Sequence, residues 1–192
     1  MINAELNHVT TLQEFNSEIR RIQEEAHGEN YCAMHDAITK HLEECDSYME
    51  LGTHQGGSAS AAMITNTKSI QLVDIDFSRY NKFLRPIASK YCKKNNIELS
   101  LKEVDSRSFS SVKEVDMLVI DSVHKPEFMQ QELDLHGSNV NKYIIAHDTS
   151  TNIRGSVDTL YNVLVEFAKK NRWEVLDRYT KNVGYTVLKK KY

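Results

Sequence analysis

Two segments end apolar runs in residues equipped for chemistry. VDMLVIDSVHKPEF places Asp121 at the end of such a run with His124 three positions on, and KYIIAHDTS ends in His147 and Asp148. In an open parallel sheet, ligands sit outside the carboxyl ends of the strands, so residues placed this way face one crevice. The oxygens of Asp121 and Asp148 are donors that a hard divalent cation such as Mg²⁺ takes, and a nitrogen from His147 would shift the preference towards Mn²⁺ or Fe²⁺. His124 or His147, with an unperturbed pKa of ~6.5, is instead a candidate general base that needs no metal. A hydrogen-bonded structural role is the plain alternative for each ring.

A third segment, YMELGTHQGGSASAAMI over residues 48–64, reads as a short buried strand, a glycine turn and a helix start. Glu50 near the strand end, the loop residues Gly52, Thr53, Gly56 and Gly57, and a capping Ser58 give the backbone room to approach a ligand and turn its amides towards it. The spacing excludes two common ligand classes. A phosphate-cradling P-loop needs Lys and then Ser or Thr after its last glycine, whereas Ser58 and Ala59 follow Gly57. A dinucleotide loop needs G-x-G-x-x-G, and the pattern here is E-x-G-x-x-x-G-x-S. In QLVDIDF, Asp74 stands 22 positions after Gly52 (74 − 52), near the roughly 20-residue spacing of an acid that accepts hydrogen bonds from a ribose.

The glycine loop closely resembles the first motif of class I S-adenosylmethionine (SAM) dependent methyltransferases. That resemblance implies a loop lying under the methionine part of SAM, with Glu50 facing its amino group. It makes Asp74 the first choice for the ribose contact and Asp76 the second, and it sets Asp105 and Ser106, which end LSLKEVDSRSF, beside the adenine. The I-D-x-x-H segment with Asp121 and His124, followed by H-D-T at His147 and Asp148, is similar to a branch that includes proteins labelled cephalosporin hydroxylases and sugar O-methyltransferases. The similarity spans roughly residues 46–188. Metal-dependent relatives carry two adjacent acids where this chain has His147 and Asp148, and Pro-Gly-Gly where it has HGSNVNKY, for which the expectation is a longer or differently shaped loop.

Methyl transfer needs an acceptor oxygen aligned with the methyl group and relieved of its proton. A cation held by Asp121, Asp148 and His147 would serve both needs, and so would His124 or His147 acting as base, with Asp121 beside them. The resulting expectation is O-methylation of a small hydroxylated molecule, a sugar or natural product. Two rivals stand beside it. One is a SAM-binding member that acts only through protein contacts. The other is a hydroxylase, whose two-histidine, one-carboxylate metal face Asp121, His124 and His147 would form if both rings converge. The remaining histidines, His8, His27, His35, His41 and His136, read as surface or cap residues, and His54 carries no assigned chemistry.

The elements that must position these residues follow from periodicity. Thr11 and Glu14 form a capping box ahead of Leu12, Phe15, Ile19 and Ile22, which predicts a helix over 11–26; a second is expected over 31–45. Strands over 47–52, 69–75, 97–104, 116–121 and 142–147 alternate with helices over 57–66, 78–94, 125–135 and 156–170, and Pro86 should kink or delay the third of these helices. WEVLDRY and GYTVLKKK are joined too closely for a crossover helix and must pair antiparallel. The fold class expected is α/β: a Rossmann-like, seven-stranded, mostly parallel sheet with a C-terminal antiparallel hairpin. It forms a single domain over 1–192, with residues 1–45 as an N-terminal helical cap and 46–192 as the core.

With 192 residues, 40% hydrophobic and 27% charged, such a domain buries roughly 70% of its unfolded surface. Cys32, Cys45 and Cys92 are odd in number and lack C-x-x-C spacing, which argues against disulfides and for a reducing compartment. MINAELNHVTT lacks a signal-peptide pattern and no apolar run approaches a membrane span, so a soluble cytoplasmic protein is expected. A net charge of −3 and a single basic cluster, Lys189 to Lys191, disfavour nucleic acid as a partner. A small-molecule substrate is expected, and association with a second copy of the chain is left open.

Overall fold

The computed structural model describes residues 3–109, 113–150 and 159–191. Seven strands form one sheet: β1 (Ser47–Leu51), β2 (Ser69–Asp74), β3 (Glu98–Glu103), β4 (Val115–Ile120), β5 (Val140–His147), β6 (Trp173–Tyr179) and β7 (Tyr185–Lys190). Their order is β3-β2-β1-β4-β5-β7-β6. The first five pair in parallel, and β7 runs antiparallel to both β5 and β6. Chain order reverses between β1 and β4, and a crevice opens at that switch point, outside the strands' carboxyl ends.

Side chains alternate between two apolar layers, as the two-residue period of a strand requires. Met117 and Val119 of β4 join Tyr48, Ile70 and Tyr143 on one face, while Leu118 and Ile120 join Met49, Val73 and Ile144 on the other. The first face carries α1 (Leu12–His27), α2 (Ala33–Leu42), α3 (Gly57–Met63), α4 (Ser78–Phe83) and α5 (Arg85–Lys94). The second carries α6 (Pro126–His136) and α7 (Thr159–Lys170), through Met129, Leu133, Leu164 and Phe167. Helix α3 owes its depth to its composition, because Ser58, Ala59, Ser60, Ala61 and Ala62 are all buried and small enough to be covered by α1 and α2.

The expected elements appear, with informative differences at their ends. Thr11 and Glu14 form the capping box. The helix expected over 78–94 is two helices, since α4 ends at Phe83 and α5 begins at Arg85 with Pro86 in its first turn, where the missing N–H costs nothing. The segment before β5 is not a longer loop. A single 3-10 turn, Gly137–Asn139, follows α6 directly, and Gly137 is required there because a Cβ would lie 2.5 Å from the Phe167 ring. Residues 156–158 of the last expected helix lie outside the described residues. Among the described residues no helix is long and apolar enough to cross a membrane. The basic cluster is occupied by its own chain: Lys190 Nζ donates to the Val140 carbonyl (2.6 Å), and Lys191 lies 3.9 Å from Glu174.

The cap is fixed through the apolar face of α1, where Leu12, Phe15 and Ile19 are buried. Phe15 is 0% exposed, so Phe15→Ala should cost about 3–5 kcal/mol, read as a lowered urea midpoint. A loss below about 1 kcal/mol would mean that the cap does not fold with the core.

Candidate functional site

The loop after β1 is pressed against the end of β4. Gly52 N–H donates to the Val73 carbonyl (2.9 Å), and Asp121 N–H donates to that of Leu51 (2.8 Å). Gly52 has φ +89°, and a Cβ there would lie 2.3 Å from the Asp121 carbonyl oxygen, so only glycine fits. Glu50 lies beneath this loop, fully buried, and accepts a hydrogen bond from Ser58 Oγ. Burial pushes its pKa up to about 8 against the pull of that hydrogen bond. Its second oxygen has no partner among the described residues. Its place is below the cavity wall.

A cavity of about 590 Å³ runs along the carboxyl ends of β1 to β4, lined by Gly52, Asp74, Ile75, Ser106, Asp121 and Phe128 among others. Asp74 Oδ2 accepts the His54 N–H (2.7 Å) and its Oδ1 the Asp76 N–H (3.1 Å), so the carboxylate is held by backbone while it lines the cavity. His54, given no role from sequence, holds it from a left-handed backbone, φ +49°. The other expected contacts are partly engaged elsewhere. Asp76 accepts both the N–H (2.7 Å) and Oγ (3.1 Å) of Ser78 at the start of α4. Asp105 is clamped by Arg107 (2.7 Å and 3.1 Å), which holds its pKa down at about 2. Ser106 donates its hydroxyl to Glu132 (2.6 Å).

Glu132 was not found by sequence. It is fully buried on α6 and also accepts the Ser122 hydroxyl (2.7 Å and 2.8 Å), tying the segments after β3 and β4 together beneath the cavity. Burial raises its pKa, opposed by the two serines. The signal was available: an acid on the same helical face as the buried Met129, Leu133 and His136. His136 and His41 are likewise buried and not on the surface, and His136 Nε2 contacts the Ser106 carbonyl oxygen (2.8 Å).

The acids and histidines after β4 and β5 form one cluster. Asp121 Oδ1 lies 3.2 Å from His124 Nε2 and 2.9 Å from His147 Nδ1. One donor atom from each of Asp121, His124 and His147 lies within 4.8 Å of the others. Asp148, expected as a metal ligand, stands behind this set: its Oδ2 is 2.5 Å from His124 Nδ1 and its Oδ1 3.4 Å from His147 Nδ1. It holds this position from a left-handed backbone, φ +55°, which a non-glycine residue adopts at a cost and which recurs at functional sites. Burial lowers the pKa of His124, yet hydrogen bonds to Asp121 and Asp148 reverse this and lift it to about 10. His147 is raised in the same way, mainly by the charge of Asp121, and the two rings hold the Asp121 carboxyl well below its usual range.

The cap reaches this cluster. Tyr31 meets His147 edge-on at 5.9 Å and stacks on His27 at 4.4 Å. A second, enclosed cavity of about 30 Å³ lies there, between Tyr31 and His35 of the cap, Thr53 and Ser58 of the loop, and Asp121 and His147. His35 therefore lines an internal wall, and burial holds its pKa down at about 4.

No protein-family model matches the chain, and no curated protein does. Solved structures share its architecture. A SAM-dependent methyltransferase from Clostridium acetobutylicum superposes with a TM-score of 0.64 at 10% identity, over 92% of this chain and 99% of that one. The N-methyltransferase NodS of Bradyrhizobium japonicum, in complex with S-adenosylhomocysteine (SAH), gives 0.59 at 12%, over 85% and 89%. The 16S rRNA methylase RmtB gives 0.61 at 13%, over 94% and 69%. At these identities the likeness establishes the fold: a mostly parallel seven-stranded sheet closed by an antiparallel hairpin, the Rossmann-like fold of class I SAM-dependent methyltransferases.

The His124 contacts make stability depend on pH. A histidine whose pKa is raised from ~6.5 on folding stabilises fully below that value and loses its contribution as pH rises through the folded one, here about 10. The excess stability of wild type over His124→Gln in urea should therefore shrink between pH 6.5 and 10. A constant difference would show that His124 is not charged in the folded protein.

Proposed function

We propose that this chain is a SAM-dependent methyltransferase that acts on a hydroxyl group of a small molecule. The observation carrying this reading is the continuity of the site. The 590 Å³ cavity runs from Asp74 to Asp121, and Asp121 is the carboxylate that both His124 and His147 contact. The residues fit the cofactor. Each Asp74 oxygen accepts one backbone N–H and keeps capacity for the hydroxyls of a ribose. Ile75, Val104, Val123 and Phe128 add apolar wall suited to a flat ring. Bound SAM supplies an electrophilic methyl group; the chain's task is to align an oxygen and take its proton.

The named neighbours include an N-methyltransferase and an rRNA methylase, so the acceptor is argued from the site. Acids and imidazoles suit proton removal from a hydroxyl, and a chain of net charge −3 offers no general attraction to RNA. Three buried thiols fit a reducing, cytoplasmic setting.

The metal-free cluster holds its histidines protonated between Asp121 and Asp148, which leaves neither ring free as a base at neutral pH. Cation binding releases such protons. Asp121, His124 and His147 would hold the ion, a donor set that suits Mn²⁺, Fe²⁺ or Zn²⁺ better than Mg²⁺, and Asp148 would orient the His124 ring from behind. A divalent cation there lowers the pKa of a coordinated hydroxyl. The same two-histidine, one-carboxylate set favours a second reading, an iron-dependent hydroxylase. Oxygen uptake without methyl transfer would select it.

Isothermal titration should show micromolar SAH binding, weakened about tenfold or more by Asp74→Ala with the circular dichroism spectrum unchanged. Unchanged affinity would remove Asp74 from the site. Asp121→Asn should abolish turnover while SAH still binds, and SAH binding without turnover by wild type would select the non-catalytic alternative. Chelation by EDTA should stop methylation and Mn²⁺ restore it, whereas activity that survives EDTA would rule the cation out.

A further inference from the structure

The 30 Å³ cavity is separate from the larger one, yet the two share Asp121 as a common wall. Its volume suits one small polar group, about that of a water or an ionic head. Two atoms in its wall are buried without a hydrogen-bond partner among the described residues, His35 Nδ1 and Thr53 Oγ1. Thr53 is 3% exposed, so water does not relieve it. Orphans of this kind are costly and uncommon in folded proteins, and their pairing in one cavity wall points to a missing ligand group.

The neighbouring polar groups are already used. Gln55 exchanges two hydrogen bonds with the backbone of Ala4 (3.0 Å and 2.6 Å), and Ser58 donates to Glu50. The His35 ring rests on Gly57, where a Cβ would lie 3.2 Å from its Cε1, so the loop glycine is what lets the cap helix bring an imidazole this close. A neutral imidazole and a hydroxyl can each donate or accept, which matches a zwitterionic group carrying both an ammonium and a carboxylate.

Resting on the methyltransferase reading, we propose that His35 and Thr53 bind the amino-acid end of SAM, which makes the N-terminal cap part of the cofactor site as well as a cover for the sheet. The two unpartnered atoms would then be satisfied only in the bound state.

The test compares two ligands that differ in that end, SAH and 5′-methylthioadenosine, by titration calorimetry on the full chain. His35→Phe keeps a ring and removes both nitrogens; Thr53→Val keeps the shape and removes the hydroxyl. Each should weaken SAH by about tenfold, the loss of one hydrogen bond to a charged group, and leave 5′-methylthioadenosine within about twofold. The unliganded Tm of Thr53→Val should be no lower than wild type, because an orphaned hydroxyl is replaced by a methyl of similar shape. Equal weakening of both ligands, or undiminished SAH affinity in both variants, would overturn the proposal. Wild type that binds neither ligand would overturn the SAM reading together with it.

Discussion

A carboxylate brought to the point where β4 ends against the loop after β1 is the constraint around which the rest of the site is arranged. The Asp121 side chain is only 7% exposed, and a charge removed from water needs close partners. His124 and His147 supply them, and Asp148 in turn takes the second nitrogen of His124. The backbone of the same residue is fixed through Leu51 and pressed on Gly52, so the position of the acid and the shape of the glycine loop are set by one contact. Replacing the glycine would move the acid.

A similar economy holds at the far end of the large cavity. Glu132 is buried under the segments after β3 and β4 and receives a serine hydroxyl from each, Ser106 and Ser122. Neither serine is adjacent to it in sequence. A half-satisfied buried carboxylate is expensive, so this bracing holds both segments in place and fixes the cavity floor. The acids of the site thus divide by their surroundings. Asp74 faces the cavity while held by two amides, Glu50 and Glu132 are kept inside by serine hydroxyls, and Asp121 is paired with imidazoles.

Much of this was legible in the chain. The apolar runs gave the strands, Thr11 with Glu14 gave the first helix, and the short join between WEVLDRY and GYTVLKKK forced the antiparallel end of the sheet. Asp74, Asp121, His124, His147 and Asp148 were found because each ends or closely follows an apolar run, and strand ends converge in a parallel sheet. His35 was read as a surface or cap residue because helical periodicity says which face is buried but not what that face meets. Glu132 was missed because its partners lie 26 and 10 positions away, beyond any local pattern. The helix over 78–94 was read as continuous, although proline at the start of a new helix is as natural as a kink in an old one.

The sequence by itself determined the order of elements, the glycine loop and the residues available for chemistry, because these depend on the two-residue and 3.6-residue periods and on local backbone freedom. Tertiary structure decided the rest. It made Asp148 a brace for His124 where a third oxygen ligand was expected, joined Asp76 and Asp105 to local partners, and brought the cap's Tyr31 and His35 to the wall that Asp121 and His147 share. Those outcomes rest on which rotamers and which buried polar groups can be satisfied together once the sheet has closed, and spacing along the chain does not encode that.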